Sequence, residues 1–84
     1  MARVEIIGKP GCHLCDEARL VVMAVCAELG ESFVDVSILD HPELADLYWT
    51  EIPVITVDGQ KIAFWRVTRE QLVRALTRGS TVSP

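Results

Sequence analysis

A strand, a loop and a long unbroken helix follow one another at the start of this chain, and that succession constrains the fold more than any other feature. Val4-Glu5-Ile6-Ile7 is β-rich and stops at Gly8-Lys9-Pro10-Gly11, a loop signal. From Cys12 to Leu29 nothing breaks a helix. Leu14, Ala18, Val21, Val22, Val25 and Leu29 recur at three- and four-residue spacing, which makes a core-facing stripe. Gly30 stands where a helix C-cap belongs, and Phe33 to Val36 reads as a second strand. Two strands joined through a helix must lie parallel, with a right-handed crossover.

The rest of the chain adds to that unit. Asp40-His41-Pro42-Glu43 carries the polar cap, early proline and acid of a helix start, and a short helix there would carry Leu44, Leu47 and Tyr48. Pro53 opens a third strand, Val54-Ile55-Thr56-Val57. Asp58-Gly59 is the strongest short hairpin signal in the chain, because both central positions of a type I′ turn need positive φ. Lys61 to Trp65 returns as a fourth strand, and Thr68 to Arg78 is a last helix. Thr68 and Gln71 make a capping box, with Val67 and Leu72 as its hydrophobic staple. The order is β-α-β-α-β-β-α. It predicts an α/β fold, a four-stranded mixed sheet with three helices placed on both faces. Residues 1–78 form the domain, and residues 79–84 read as a disordered polar tail.

Composition narrows the function. A chain of 84 residues, half of them hydrophobic, is one globular domain near the size where cores become marginal. Twelve acidic against eight basic residues give a formal charge of −4, so there is no general field to attract nucleic acid. The longest apolar run, Leu20 to Ala27, falls far short of the roughly 20 residues a membrane span needs. Met1 to Gly8 lacks the pattern of a secretory signal. The expectation is a cytoplasmic monomer with no nucleic-acid or membrane partner. Three cysteines cannot all pair within one chain, which points to reactive or packed thiols rather than structural staples.

Cys12-His13-Leu14-Cys15 is the informative element. Its spacing puts Cys12 at the helix end and Cys15 one turn inside, where two sulfurs can close a disulfide. Free helical N–H groups and the positive end of the helix dipole favour a thiolate at Cys12. A thiolate is the attacking species in thiol–disulfide exchange, and a second nearby thiol releases the mixed disulfide. Lys9 adds a positive charge nearby, while Asp16 and Glu17 oppose it. A CxxC pair is also half of a zinc site, but zinc needs two more ligands. Cys26 lies roughly 16 Å further along the same helix at the usual rise, so no metal is expected. Cys26 reads instead as a small buried hydrophobe. His13 is either a cation beside the thiolate or a solvated helix residue. His41 reads as a cap or surface residue, and Tyr48 and Trp49 read as packing residues.

On these residues the sequence resembles the thioredoxin fold, and within it the glutaredoxin-like proteins. The anchors are Ile6-Ile7-Gly8-Lys9-Pro10-Gly11-Cys12-His13-Leu14-Cys15 and Glu51-Ile52-Pro53-Val54 before Asp58-Gly59. The resemblance implies that Cys12 is the nucleophile, Cys15 the resolving thiol and Pro53 a cis-proline facing the CxxC turn. It further implies that the backbone of Ile52 faces outward, where a substrate chain could pair with it. The chain departs from most glutaredoxins in two places. His13-Leu14 stands where an aromatic residue is usual inside the motif. Phe64-Trp65-Arg66-Val67-Thr68-Arg69-Glu70 replaces the glycine pair and acidic pair that hold glutathione. Both departures resemble the small Cys-His-Leu-Cys type of glutaredoxin-like protein.

The predicted topology returns the end of strand four beside Pro53. Trp65, Arg66 and the Thr68 helix start then lie near the sulfurs. Arg66 could receive a carboxylate, and the helix start offers N–H groups to an anion. Lys9, Ile52, Pro53, Arg66 and Thr68 are therefore the candidate substrate contacts, with Cys12 and Cys15 catalytic and forming the redox-active disulfide. The expected activity is dithiol–disulfide exchange on a disulfide-containing protein or low-molecular-weight thiol, with an unidentified reductant. No cofactor is expected, and glutathione would serve only as a weak cosubstrate. Two alternatives stand beside this reading: an iron–sulfur or metal carrier, and a non-catalytic binding module of the same fold.

Overall fold

The computed structural model describes residues 3–81, with side chains through residue 77. The elements run β1 (Val4–Gly8), α1 (His13–Leu29), β2 (Phe33–Ser37), α2 (Pro42–Tyr48), β3 (Val54–Val57), β4 (Gln60–Phe64) and α3 (Arg69–Thr81). This is the predicted order, with bounds shifted by a residue or so. The larger difference is at the end: α3 takes in Gly79, Ser80 and Thr81, which the sequence assigns to the tail. The remainder of that tail, residues 82–84, lies outside the described residues.

The sheet order is β2-β1-β3-β4. β1 and β2 are parallel, as the helical crossover requires, with Val4 opposite Phe33 and Gly8 opposite Ser37. β3 runs antiparallel to both β1 and β4. The β3–β4 turn takes the conformation its sequence demands, with Asp58 at φ 54° and Gly59 at φ 83°. A register shift at Ile55/Thr56 leaves Phe64 opposite Val54. It brings the end of β4 level with Pro53.

Strand alternation divides the sheet residues between two faces. Val4, Ile6, Ile55 and Val57 join Ala18, Val22, Val25 and Cys26 of α1, and Leu72 and Leu76 of α3, in one core. Full burial of each larger aliphatic side chain contributes about 1.5–3 kcal/mol. Ile7, Val54 and Thr56 are also buried, so both faces of β3 are covered. The predicted α1 stripe is correct at Ala18, Val22 and Val25, while Leu29 is 40% exposed and Cys15 and Cys26 take places on the buried side. Cys26, 2% exposed, is the packed residue its sequence context suggests.

Local signals hold at most helix ends. Gly30 caps α1 at φ 69°. Thr68 and Gln71 exchange hydrogen bonds at 2.9 and 3.1 Å, a complete capping box, and Val67 and Leu72 are both buried. α2 is weaker. Pro42 starts it, but its N-cap residue, His41, makes no side-chain cap bond, and the helix holds no buried residue. Trp49, expected to pack, is 69% exposed. No helix among the described residues is long and apolar enough to cross a membrane.

Candidate active site

The site is built where β1 hands over to α1. Gly11, at φ 74°, turns the chain, and Cys12 takes the N-cap position with extended backbone at φ −93° and ψ 115°. The Cys12 sulfur accepts the Cys15 backbone N–H at 3.2 Å. It therefore does the work that a Ser or Asp oxygen does at other helix starts, satisfying an N–H that has no partner within the helix. Cys12 is half-buried and Cys15 is 1% exposed. Cys12, Cys15 and Cys26 are all thiols in the structure.

Burial pushes the Cys15 thiol up to about 11, and its hydrogen bond with Cys12 pushes the same way. The Lys9 backbone N–H and the Arg19 charge act against that rise. Arg19 is fixed by Asp16 at 3.0 Å and Asp35 at 3.1 Å. Gly8, read from the sequence as part of the loop, is the last residue of β1 and is buried. A Cβ there would meet the Cys15 sulfur at 2.7 Å and Ile52 Cγ2 at 3.9 Å. The Cys15 sulfur thus sits against bare backbone, with the Ile52–Pro53 turn alongside.

The Ile52–Pro53 bond is cis, as the resemblance implies. Pro53 is fully buried and Ile52 is 9% exposed, so the turn forms a wall of the site rather than an open ledge. The end of β4 does return beside it: Trp65 N–H donates to the Pro53 carbonyl at 2.9 Å. Trp65 itself departs from the strand expected of it. Its φ is 63°, and the Arg66 N–H bonds back to the Phe64 carbonyl at 2.7 Å, a three-residue γ-turn. Positive φ is rare for a bulky residue and costs on the order of 1–3 kcal/mol. The bond to Pro53 and a second from Trp65 Nε1 to the Thr50 carbonyl at 2.8 Å hold it there.

The proposed anion contacts fall into two places. Arg66, Thr68 and Trp65 line a cavity of about 260 Å³ with Leu14 and Glu17 of α1. Lys9 lines a different one, with Cys15, Arg19, Asp35 and Asp40. Within the first, Arg66 is already engaged, its guanidinium 3.1 Å from Glu17 Oε1. The other Glu17 oxygen, Oε2, is 3.0 Å from His13 Nε2. His13 is largely solvated. The Thr68 N–H is taken by Gln71, which narrows what α3 can offer an anion. Three residues had little signal in the sequence: Gly8, Arg19 and Glu17. Glu17 follows His13 by four residues, a spacing that pairs side chains on one helix face; its link to Arg66 crosses the fold.

Among the described residues no group of three or more His, Cys, Asp or Glu side chains is placed to hold a metal ion. A four-stranded mixed sheet in this order, three helices and a CxxC pair at the first strand–helix junction define a thioredoxin/glutaredoxin fold. The chain belongs to the Glutaredoxin-like domain (DUF836) family, whose family model matches residues 3–77. It is 23% identical to the uncharacterized protein Rv0508 of Mycobacterium tuberculosis over 98% of this chain and 90% of that one. An X-ray structure of the protein XcR50 from X. campestris is similar at a TM-score of 0.73 and 25% identity, covering 88% of this chain and 95% of that one. Thioredoxin 1 from Thermosipho africanus shares the fold at a TM-score of 0.67 and 10% identity, over 95% of this chain and 96% of that one.

Proposed function

We propose that this protein is a dithiol–disulfide oxidoreductase in which Cys12 attacks and Cys15 resolves. The observation that carries the reading is the asymmetry of the two sulfurs. Cys12 is half-buried at the helix N-cap, with an N–H donated to its sulfur, while Cys15 is buried one turn inside and held protonated. An incoming disulfide can reach only the first. Family membership and fold support a redox role in general.

The Cys12 thiolate would attack one sulfur of the substrate disulfide, breaking the S–S bond. The first substrate thiolate leaves and takes a proton from solvent. Cys15, giving up its proton, then attacks the Cys12 sulfur of the mixed disulfide, and the second substrate thiol leaves. The protein dithiol is oxidised to a disulfide and the substrate disulfide is reduced to two thiols. The Lys9 N–H and the Arg19 charge favour the anion that Cys15 must become. The substrate would be a protein or small-molecule disulfide passing along Ile52, Pro53, Arg66 and Thr68.

Glutathione would be at most a weak cosubstrate. The segment after β4 offers a strained tryptophan, an arginine bonded to Glu17 and a helix start occupied by its own capping box. The test is trapping. Reduced wild type treated with hydroxyethyl disulfide should lose two hydrogens and carry no adduct. Cys15→Ser should retain the adduct on Cys12. An adduct that forms as readily on Cys15 in Cys12→Ser would overturn the assignment.

A further inference from the structure

The candidate anion site contains its own anion. Glu17 lies within the cavity that adjoins the CxxC turn through Leu14, and it occupies Arg66 at 3.1 Å. Its second oxygen is tied to His13 at 3.0 Å, so the carboxylate is held at both ends. We infer that Glu17 sets the charge preference of the site, turning away disulfides whose substituents carry a carboxylate and favouring those that carry a cation. This inference rests on the oxidoreductase reading above and names the substrate class for the same site.

Glu17 and a substrate carboxylate compete for the same guanidinium. A carboxylate on the substrate must share the Arg66 guanidinium with Glu17, which already takes one of its N–H groups through Oε1. The Glu17 carboxylate lines the same cavity, with Oε2 beside His13, and repels the newcomer. An ammonium on the substrate meets the opposite situation: the Glu17 side chain is 45% exposed, and a carboxylate oxygen can accept from a further donor while keeping its Arg66 contact. Lys9, the other candidate anion contact, lines a different cavity from Arg66 and Glu17. Competition with an exposed pair of this kind costs up to about fivefold in affinity. Repulsion by one screened charge at short range adds about threefold. The preference for a cationic over an anionic disulfide should therefore be about tenfold, and it should shrink as salt screens it.

The experiment uses three disulfides of matched length: dithiodipropionate (anionic), hydroxyethyl disulfide (neutral) and cystamine (cationic). Each is mixed with fully reduced protein, and the rate of thiol loss is read by quench and alkylation. Rates for the charged probes are expressed relative to the neutral one, so any change in thiol reactivity cancels. Wild type should oxidise in the order cationic, neutral, anionic. Glu17→Gln should raise the anionic-to-cationic ratio about tenfold, and Arg66→Gln added to it should cut that gain to about threefold, the share of direct repulsion. Unchanged ratios in Glu17→Gln overturn the inference while leaving the oxidoreductase reading intact. A tenfold gain that persists in full without Arg66 overturns it too, since the effect would not then pass through that pair. If none of the three probes oxidises wild type, the oxidoreductase reading falls and this inference falls with it.

Discussion

Replacing Gly8 by alanine tests the packing on which the resolving thiol depends. Gly8 lies in β1, opposite Ser37 of β2, so an alanine fits the local backbone. The difficulty lies with α1, which brings Cys15 against that position. The new Cβ would lie 2.7 Å from the Cys15 sulfur and 3.4 Å from Cys15 Cβ. Comfortable contact begins near about 3.5 Å, so one partner must give way by nearly an ångström. The sulfur hangs on a single torsion, and α1 is held by Ala18, Val22 and Val25 in the core. Overpacking of this kind costs about 1–3 kcal/mol, and each kcal/mol lowers Tm by about 4–8 °C in a domain of this size. Thermal and denaturant unfolding of reduced Gly8→Ala, Cys15→Ala and the double variant would measure it. The loss should be largely absent when Cys15 is already alanine, giving a coupling of about 1–2 kcal/mol. In the single variant the mixed disulfide on Cys12 should also persist longer, because the resolving sulfur is misplaced. If Gly8→Ala costs the same in both backgrounds, the contact with Cys15 is not what makes glycine necessary.

Other outcomes follow from the same geometry. Cys12 should alkylate faster than Cys15 or Cys26 near neutral pH, as mass mapping after brief labelling would show; preferential labelling of either buried cysteine contradicts the site. With a mixed glutathione disulfide as substrate and glutathione as reductant, Cys15→Ser should lose most of the turnover, and a full rate would mean that a monothiol route dominates. Stability should fall at alkaline pH. Cys15 ionises near its ordinary 9.0 in the unfolded chain but is held up to about 11 by burial, so across that window the unfolded state binds fewer protons. The contribution is complete below about 9 and is lost as the pH rises toward 11. Denaturation midpoints of the reduced protein measured across that range should fall less steeply in Cys15→Ala.

What the sequence made legible was local. The Asp58-Gly59 turn, the Gly30 cap and the Thr68–Gln71 box each involve residues within a few positions of one another, so their chemistry can be read in order along the chain. The CxxC pair is legible for the same reason, since both sulfurs lie on adjacent turns of one helix. What escaped depended on partners distant in sequence. Gly-Lys-Pro-Gly reads as a loop, yet Gly8 closes a strand because a sulfur from α1 needs its missing side chain. Trp65 reads as a strand residue, yet hydrogen bonds to Thr50 and Pro53 hold it in a turn that suits glycine. Arg66 reads as an available cation, and a carboxylate 49 residues earlier already occupies it. Arg3 carries no motif at all, yet it joins Asp58 of the β3–β4 turn, Glu31 of the loop after α1 and the Leu76 carbonyl of α3.

The helix cap at Cys12 has a consequence of its own. In most proteins the atom that begins a helix and the atom that reacts are different, and selection can adjust one without touching the other. On the proposed mechanism a single sulfur does both, accepting the Cys15 N–H at the head of a 17-residue helix. Any bond made to that sulfur alters how well it accepts the N–H, and the change is felt as folding free energy along α1. By the closed thermodynamic cycle that joins the two processes, a substitution that steadies one form of the helix start shifts the equilibrium of the chemistry by the same amount. The redox equilibrium of the proposed reaction would therefore be set partly by residues that never meet a substrate: those that decide how firmly the first turn of α1 is wound.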